Sequence, residues 1–314
     1  MTPVASVFAW LGQSAALILP AALFLALAAI PLVAAATGLS QAKRTKIFRN
    51  KFGQQAASLA LILLPLSLLG AAAAWCVPKP AALPPTVLAS ESCLFSPFLW
   101  LPAGIACLAA ALLAIYRATW RGLKDRKTLH AAIGFCSSLA FFAAVALAAG
   151  GFQTARTARP PAEAVIGAAD MIFFIPPLEV FELILTGISL AGALCFLYLL
   201  TRRKADDFGR DYYIYTASLC LRWAAFPVPV LAGLEIWRCS GNFALIQSTE
   251  TLSPLAWLWP AAPACGLLAA AVWFAVSRSL TPLRYKELAC GAIVLMYLAV
   301  CCAVTANALL LVQP

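Results

Sequence analysis

Residues 16–70 read ALILPAALFLALAAIPLVAAATGLSQAKRTKIFRNKFGQQAASLALILLPLSLLG, and they set the pattern that the whole chain repeats. An apolar segment is followed by a short basic segment and then by a second apolar segment. About 20 apolar residues are enough to cross a bilayer as an α-helix, because each residue adds about 1.5 Å. The stretch therefore predicts a transmembrane hairpin with a basic turn in water.

Eight such apolar segments fill the 314 residues and form four hairpins. Hydrophobic residues make up 63% of the chain and charged residues 11%, whereas about a quarter of a soluble domain is charged. The polar surface is too small to cover a soluble globule, so we predict an all-α, polytopic transmembrane helical bundle. The predicted spans are 11–37, 55–76, 97–117, 129–152, 175–200, 214–237, 254–277 and 288–312.

The basic residues are concentrated on alternate connectors. Of the 22 Lys and Arg, 17 lie in the turns inside the four hairpins and four lie in the opposite connectors. By the positive-inside rule, the basic turns face the cytoplasm and both termini lie outside. Orientation and anionic membrane lipid then explain the net charge of +10, and nucleic acid is not expected as a partner. The first apolar segment is too long for a cleavable signal, so we expect a true first span.

We predict a single membrane domain made of two four-helix halves, residues 1–152 and 153–314. No loop is long enough for a soluble domain, so soluble redox chemistry would require a partner. Prolines within spans 1, 2, 6 and 7 are expected to kink their helices. These prolines are Pro20, Pro31, Pro65, Pro227, Pro229, Pro260 and Pro263.

The clearest candidates for chemistry are carboxylates near the outer ends of spans 5 and 6. Glu179 and Glu182 are three residues apart, which puts them on one helical face. Carboxylates in a first helical turn also stabilise the positive helix terminus, and this is the structural interpretation. The functional interpretation is a quinone or proton site, because a quinol releases protons as it is oxidised. Asp170 and Glu235 are expected beside the pair.

Arg222 and His130 are the other ionisable candidates. Arg222 is expected either to extend to the cytoplasmic interface or to pair with a lipid or quinone head group. His130 begins span 4 and is expected to be an interfacial histidine. Haem ligation is its alternative role, but a membrane haem usually needs two axial ligands and the chain has one histidine. We predict no metal site, and Thr305 and Asn307 are expected to bridge helices.

The 11 cysteines are scattered, mostly within spans, with no CxxC pair and no Cys/His zinc spacing. Buried cysteines of this kind behave as small hydrophobic residues. Cys76, Cys93 and Cys239 fall near the outer face, where an oxidising compartment would allow two of them to form a disulfide. The sequence leaves the pairing open.

The hairpins and several short motifs resemble subunit I of the cytochrome bd-type quinol oxidases. The motifs are LILPAALFLAL at 17–27, IFRNKFG at 47–53, WRGL at 120–123, LH at 129–130, SLA at 138–140, GFQ at 151–153, YLLTRR at 198–203 and FGRDYY at 208–213. The resemblance extends over residues 8–237. It implies an outside N-terminus and short cytoplasmic turns, as the charges also predict.

The haem ligands of that family are missing from the matching positions. Ala15 stands where the first span of the family has a ligating histidine, and Ala109 where the third span has a glutamate. Leu178 or Glu179 stands where the fifth span has a second histidine. His130 matches a position that is not a ligand, and a short loop replaces the large quinol-binding loop. The resemblance thus implies a haem-free relative that does not reduce oxygen.

These observations predict a non-catalytic, haem-free membrane subunit of a quinol-linked respiratory electron-transfer complex in the bacterial cytoplasmic (inner) membrane. It would anchor membrane or periplasmic redox subunits, such as cytochromes or iron–sulfur proteins, and offer a quinone site near Glu179 and Glu182. One alternative is a proton- or ion-coupled transporter or channel that uses Glu179, Glu182 and Glu235 as coupling groups. Another is an assembly scaffold that binds no ligand.

Overall fold

The computed structural model describes residues 3–39, 45–76, 97–120, 122–123, 126–157, 177–206, 208–247 and 258–310. All regular structure in these segments is helical. The α-helices are α1 (Pro3–Leu39), α2 (Lys46–Cys76), α3 (Pro97–Ala118), α4 (Lys127–Thr157), α5 (Pro177–Arg202), α6 (Arg210–Ala225), α7 (Val228–Gln247), α8 (Leu258–Arg278) and α9 (Lys286–Leu310). A 3₁₀ turn, Pro282–Tyr285, precedes α9.

Eight helical segments are long and apolar enough to cross a membrane, so the prediction of an all-α protein with eight potential spans is confirmed. The length and composition of these helices are those of a multi-pass membrane protein. The segments are Ile18–Leu39, Lys46–Ala73, Trp100–Ala118, Lys127–Ala149, Pro177–Arg202, Arg210–Gly241, Leu258–Arg278 and Pro282–Ala306.

Several helices begin before the predicted spans, at basic residues that the sequence assigns to connectors. Helix α2 begins at Lys46, α4 at Lys127 and α9 at Lys286. The first turns of α2 and α4 contain no acidic residue, although the helix dipole favours one there. Cations at these ends are favourable where a helix extends from the hydrocarbon into the headgroup region of anionic lipid. The hydrophobic pattern therefore underestimates the length of these helices.

The predicted sixth span, 214–237, consists of two helices, α6 and α7, separated by a turn at Phe226–Pro227. Pro227 and Pro229 lack an amide hydrogen, and their rings clash with the carbonyls four residues earlier. The Phe226 N–H still donates to the Arg222 carbonyl oxygen at 3.0 Å. The expected distortion is confirmed at this proline pair. The other prolines predicted to kink spans lie within uninterrupted helices.

The chain forms two compact units, and the first is built around α8. It comprises three segments, Met1–Leu23, Ser67–Ala74 and Ile188–Pro314. In this unit α8 packs on α6, α7 and α9. The fully buried Trp273 of α8 donates its Nε1–H to the Ala289 carbonyl oxygen of α9 at 3.1 Å. The Tyr297 hydroxyl of α9 donates to the Ala15 carbonyl oxygen of α1. Indole and phenol groups thus connect helices through backbone acceptors.

The crossing of α5 and α6 in the first unit is a close backbone contact. Gly192 of α5 faces α6, and a Cβ atom there would lie 2.7 Å from the Cys220 carbonyl oxygen. One turn earlier, the Ser189 hydroxyl donates to the Ala224 carbonyl oxygen at 2.7 Å. Small residues let helices approach closely in lipid, where association depends on packing and hydrogen bonds. Gly192 and Ser189 together therefore specify this crossing.

The second unit comprises Phe24–Leu66 and Trp75–Gly187, and α4 is tied to two of its neighbours there. Two adjacent buried serines of α4 make these contacts. Ser137 donates to the Ala109 carbonyl oxygen of α3 at 2.9 Å, and Ser138 donates to the Ala28 carbonyl oxygen of α1. Because successive residues on a helix point in different directions, the serine pair reaches two helices at once. The predicted division into halves at residue 152 stays a prediction.

We expect Gly192→Ala to lower the free energy of unfolding by about 1–3 kcal/mol, the usual cost of overpacking a close contact. Gly291→Ala is the matched control, because a Cβ at Gly291 would meet no atom within 4 Å. Thermal unfolding in mild detergent should show a lower Tm for Gly192→Ala and an unchanged or slightly higher Tm for the control. Equal Tm values for the two variants would refute the close crossing.

Candidate functional site

Glu179 and Glu182 lie at the start of α5. The helix begins with Pro177. A proline at this position costs no helical hydrogen bond, because the first amide groups of a helix have no acceptor within it. Glu179 is in the first turn and Glu182 is three residues further, so the two side chains lie on one helical face. Both are partly exposed, and both interact with neighbouring groups. The arrangement stabilises the helix start and leaves the pair accessible to a ligand.

Glu235 is neutralised within its own helix. The Arg238 Nη1 atom lies 3.2 Å from the Glu235 Oε1 atom, and the side chains are only 21% and 17% exposed, respectively. Glu235 belongs to the first unit, whereas Glu179 and Glu182 belong to the second. Asp170 lies outside the described residues. The structure thus shows a carboxylate pair on α5 and an ion pair within α7, and the grouping of Glu235 with the α5 pair stays a prediction.

Arg222 is exposed in the last turn of α6 and makes no ion pair with any residue that the structure describes. Arg222 is the first of five exposed residues that follow one another three or four positions apart. We name them the Arg222 face: Arg222, Phe226, Val230, Gly233 and Trp237. Phe226 is 82% exposed, and no atom of the described residues lies within 4 Å of a Cβ built on Gly233. A charge in a membrane span is costly unless it reaches the interface or meets a partner.

His130 lies in an aromatic cluster where α3 ends and α4 begins. Its ring stacks on Tyr116 with 4.4 Å between centroids, and Trp120 meets it edge-on at 4.7 Å. The His130 Nδ1 atom is 3.3 Å from Thr119 Oγ1, and that hydroxyl donates to the Ile115 carbonyl oxygen at 2.7 Å. Because the hydroxyl hydrogen is used in that bond, the network assigns the imidazole proton to Nδ1.

Two glycines make room for this cluster. A Cβ at Gly53 of α2 would lie 2.5 Å from Trp120, and a Cβ at Gly134 of α4 would lie 2.9 Å from Tyr116. The cluster therefore joins three helices. The Nε2 atom of His130 is buried and has no hydrogen-bond partner among the described residues. An unpaired buried nitrogen costs about 1–3 kcal/mol, so the aromatic contacts must outweigh this cost.

A haem with two axial ligands does not fit at His130. Tyr116 covers one ring face, Nδ1 is engaged, and Nε2 is enclosed. The chain has no second histidine, and the internal methionines are Met171 and Met296. Met171 lies outside the described residues. We therefore derive no chemistry from haem at this position.

The positions where the resemblance implies haem ligands hold residues that make helix contacts. Ala109 is fully buried, and its carbonyl oxygen accepts the Ser137 hydroxyl bond. The carbonyl oxygen of Ala15 accepts the Tyr297 hydroxyl bond. Leu178 is a partly exposed residue in the first turn of α5. The side chains of alanine and leucine have no lone pair to offer iron, so Ala15, Ala109 and Leu178 cannot serve as haem ligands. Glu179, the alternative match to the third position, has a carboxylate in place of the histidine that the resemblance implies.

Three serines bridge helices, and Thr305 does not do so among the described residues. Thr305 is buried, but its hydroxyl has no hydrogen-bond partner in the described part of the chain, so that prediction is wrong. The side chain of Asn307 lies outside the described residues. The bonds from Ser137, Ser138 and Ser189 could have been suspected from the sequence, because each is a small polar residue in a long apolar run.

The described cysteines are free thiols, and none of them is part of a metal site. Cys239 packs against a buried cluster that contains Trp259 and Cys302. The side chain of Cys76 and all of Cys93 lie outside the described residues. Within the described ranges, no group of three or more His, Cys, Asp or Glu residues could hold a metal ion.

Comparisons of the chain with protein-family models, with curated proteins and with solved structures find no match. The resemblance to the quinol oxidases therefore stays a hypothesis that rests on the motifs quoted above. Three features of the structure bear on function: the carboxylate pair on α5, the aromatic cluster around His130 and the Arg222 face.

We expect His130 to act as a packing residue. His130→Phe keeps a ring against Tyr116 and removes the unpaired Nε2 atom, so it should unfold at the wild-type Tm or above. His130→Ala removes the stacked ring and should lose about 0.5–1.5 kcal/mol or more. The Tm values of both variants and of the wild type are measured by thermal unfolding in detergent. A Tm for His130→Phe as low as that for His130→Ala would contradict the packing role.

Proposed function

We propose that the chain is a haem-free integral membrane subunit of a respiratory electron-transfer complex. Its eight spans would form two four-helix halves with both termini outside the cytoplasm of a bacterial cell. It would anchor membrane or periplasmic redox subunits, which would carry the cofactors, and it would contribute a quinone site near Glu179 and Glu182. On this proposal the chain itself is a non-catalytic part of a quinol-linked oxidoreductase.

The observation that carries this proposal is the role of Ala15 and Ala109. Both stand at positions where the oxidase resemblance implies ligands or acid groups of the haem site. Both instead supply a backbone acceptor to a neighbouring helix, through Tyr297 and Ser137. A bundle that keeps oxidase-like hairpins but uses its ligand positions for packing suits an anchoring subunit better than an oxygen-reducing enzyme.

The orientation is supported by the basic helix ends. The described cations Lys46, Arg117 and Lys127 belong to the first two predicted cytoplasmic turns. Arg202 and Lys286 belong to the third and fourth. Positive residues are retained on the cytoplasmic side because they are costly to move across a bacterial membrane. The carboxylate pair at the start of α5 would then face the periplasm, the side on which periplasmic redox partners bind.

The quinone part of the proposal is supported by the two carboxylates at the start of α5. They lie on one face, are partly exposed, and stand at the end of a candidate span. A quinol that gives up two electrons also releases two protons, and a nearby carboxylate can accept a proton at the water-facing side. Two carboxylates on one face therefore suit the oxidation of a quinol.

We expect Glu182→Gln to slow quinol oxidation by the purified complex about 10²-fold or more, because a proton acceptor usually contributes about 10²–10⁴-fold. Stability should be unaffected, since glutamine keeps the size of the side chain. The matched control is Glu287→Gln, which alters an exposed glutamate in the first turn of α9. The control lies near the predicted cytoplasmic side and should leave the rate unchanged. Equal rates in both variants would exclude the site but would leave the anchoring role standing.

The anchoring part of the proposal is supported by the Arg222 face. An exposed arginine within a candidate span is stabilised when a partner helix brings an acidic or polar group to it. Gly233 leaves open space on the same face, which permits close approach of a second helix. Phe226 and Trp237 add exposed aromatic surface of the kind enriched at protein interfaces. The face therefore suits a membrane helix of a partner subunit.

We expect Arg222→Leu to reduce the amount of redox subunit that co-purifies with the chain in mild detergent about fivefold or more, since interhelical polar contacts in membranes contribute about 1–2 kcal/mol. Arg203→Leu is the control, because it removes one exposed arginine at the end of α5. Quantitative mass spectrometry of the purified complexes measures the ratio. A visible haem band in the isolated chain, or unchanged partner content in Arg222→Leu, would count against the proposal.

A further inference from the structure

Two helices of the second unit begin side by side with a lysine each. The Lys127 Nζ atom at the start of α4 lies 3.4 Å from the Asn50 Oδ1 atom of α2. Asn50 is one turn after Lys46, so Lys46 and Asn50 share a face of α2. Lys46 is also near enough to Lys127 to act on it electrostatically. Asn50 therefore holds the Lys127 ammonium group against the face of α2 that also carries Lys46.

The charge of this lysine pair is not balanced by acidic residues that the structure describes. The sequence makes acidic residues scarce here, because the first 162 residues contain only Glu91 and Asp125. Both lie outside the described residues. Two like charges held close together raise the free energy of the protein. An anion placed between the two lysines would remove that repulsion.

Both lysines begin helices that are candidate membrane spans, Lys46–Ala73 and Lys127–Ala149. The start of a span lies at the headgroup level of a bilayer, where the phosphates of anionic lipids attract cations. Exposed aliphatic residues occur in the same first turns, since Ile47 is 67% exposed and Leu129 is 48% exposed. The position of the lysines therefore favours a phospholipid over a free inorganic anion.

We propose that Lys46, Asn50 and Lys127 form a binding site for the phosphate of an anionic phospholipid. The Lys127 ammonium group has three N–H donors, and its bond to Asn50 uses one of them. Two donors of Lys127 and three of Lys46 are then available to phosphate oxygens. The acyl chains of the lipid would pack along the apolar spans that follow the two lysines. The inference depends on membrane insertion of the chain and is independent of the proposed respiratory role.

The test is native mass spectrometry of the full chain, released from detergent micelles that contain phosphatidylglycerol. The wild-type chain should retain one phosphatidylglycerol molecule. Lys46→Gln combined with Lys127→Gln should bind it about twentyfold to thirtyfold more weakly, because each lysine near an anionic lipid contributes about fivefold. Lys46→Arg combined with Lys127→Arg keeps both charges and should retain the lipid.

The matched control is Arg284→Gln combined with Lys286→Gln, which removes the same charge from two exposed residues, one in the 3₁₀ turn and one at the start of α9. Lipid retention should remain at the wild-type level in this control. Equal loss in the control and in the lysine variant would overturn the site and indicate diffuse attraction.

Two further probes separate possible ligands. Phosphatidylcholine should bind more weakly than phosphatidylglycerol, because its head group carries a positive charge. Inorganic phosphate should not displace the lipid at equal concentration. Displacement by phosphate, or equal binding of both lipids, would overturn the assignment to an anionic phospholipid. Should the double glutamine variant fail to fold, Lys46→Gln alone changes an exposed side chain and should weaken binding about fivefold.

Discussion

Hydrogen bonds from side chains to alanine carbonyl oxygens hold neighbouring helices together in this protein. Ser137, Ser138 and Ser189 donate to Ala109, Ala28 and Ala224, while Trp273 and Tyr297 donate to Ala289 and Ala15. A helical carbonyl oxygen has a second lone pair that can accept such a bond. The methyl side chain of alanine does not block the approach of the donor. In lipid, where helices gain no hydrophobic attraction from each other, these contacts and close packing determine which faces meet.

Ala15 and Ala109 are acceptors in two of these bonds, and they are also the positions where the oxidase resemblance implies haem-site residues. The alanine side chain offers no ligand to iron, whereas its backbone carbonyl oxygen can accept a bond from a neighbouring helix. In the haem-free subunit that we propose, these two positions would therefore contribute to helix packing.

The sequence predicts the class of the fold better than its details. Hydropathy alone identifies eight spans, because crossing the membrane depends on length and apolarity and needs no knowledge of partners. Hydropathy does not predict the early start of α2 at Lys46. It assigns charged residues to loops, whereas the headgroup region accepts cations within a helix. The ion pair between Glu235 and Arg238 could have been predicted from their spacing of three residues, which places them on one helical face. The stacking of His130 on Tyr116 depends on the packing of α3 against α4, which no local pattern encodes.

The charged residues that the structure describes are paired unevenly. Asp206 binds Arg202 at 2.9 Å, Glu235 binds Arg238, and the α5 pair has neighbouring contacts, whereas Asp211 and Glu287 are exposed. Cations such as Arg222, Lys46 and Lys127 have no acidic partner among the residues that the structure describes. Unbalanced positive charge in or near a membrane is stabilised by anions from outside the chain. The phosphate of a lipid and the carboxylate of a partner helix would each supply negative charge at a different position. The excess of positive charge therefore accounts for both proposed contacts.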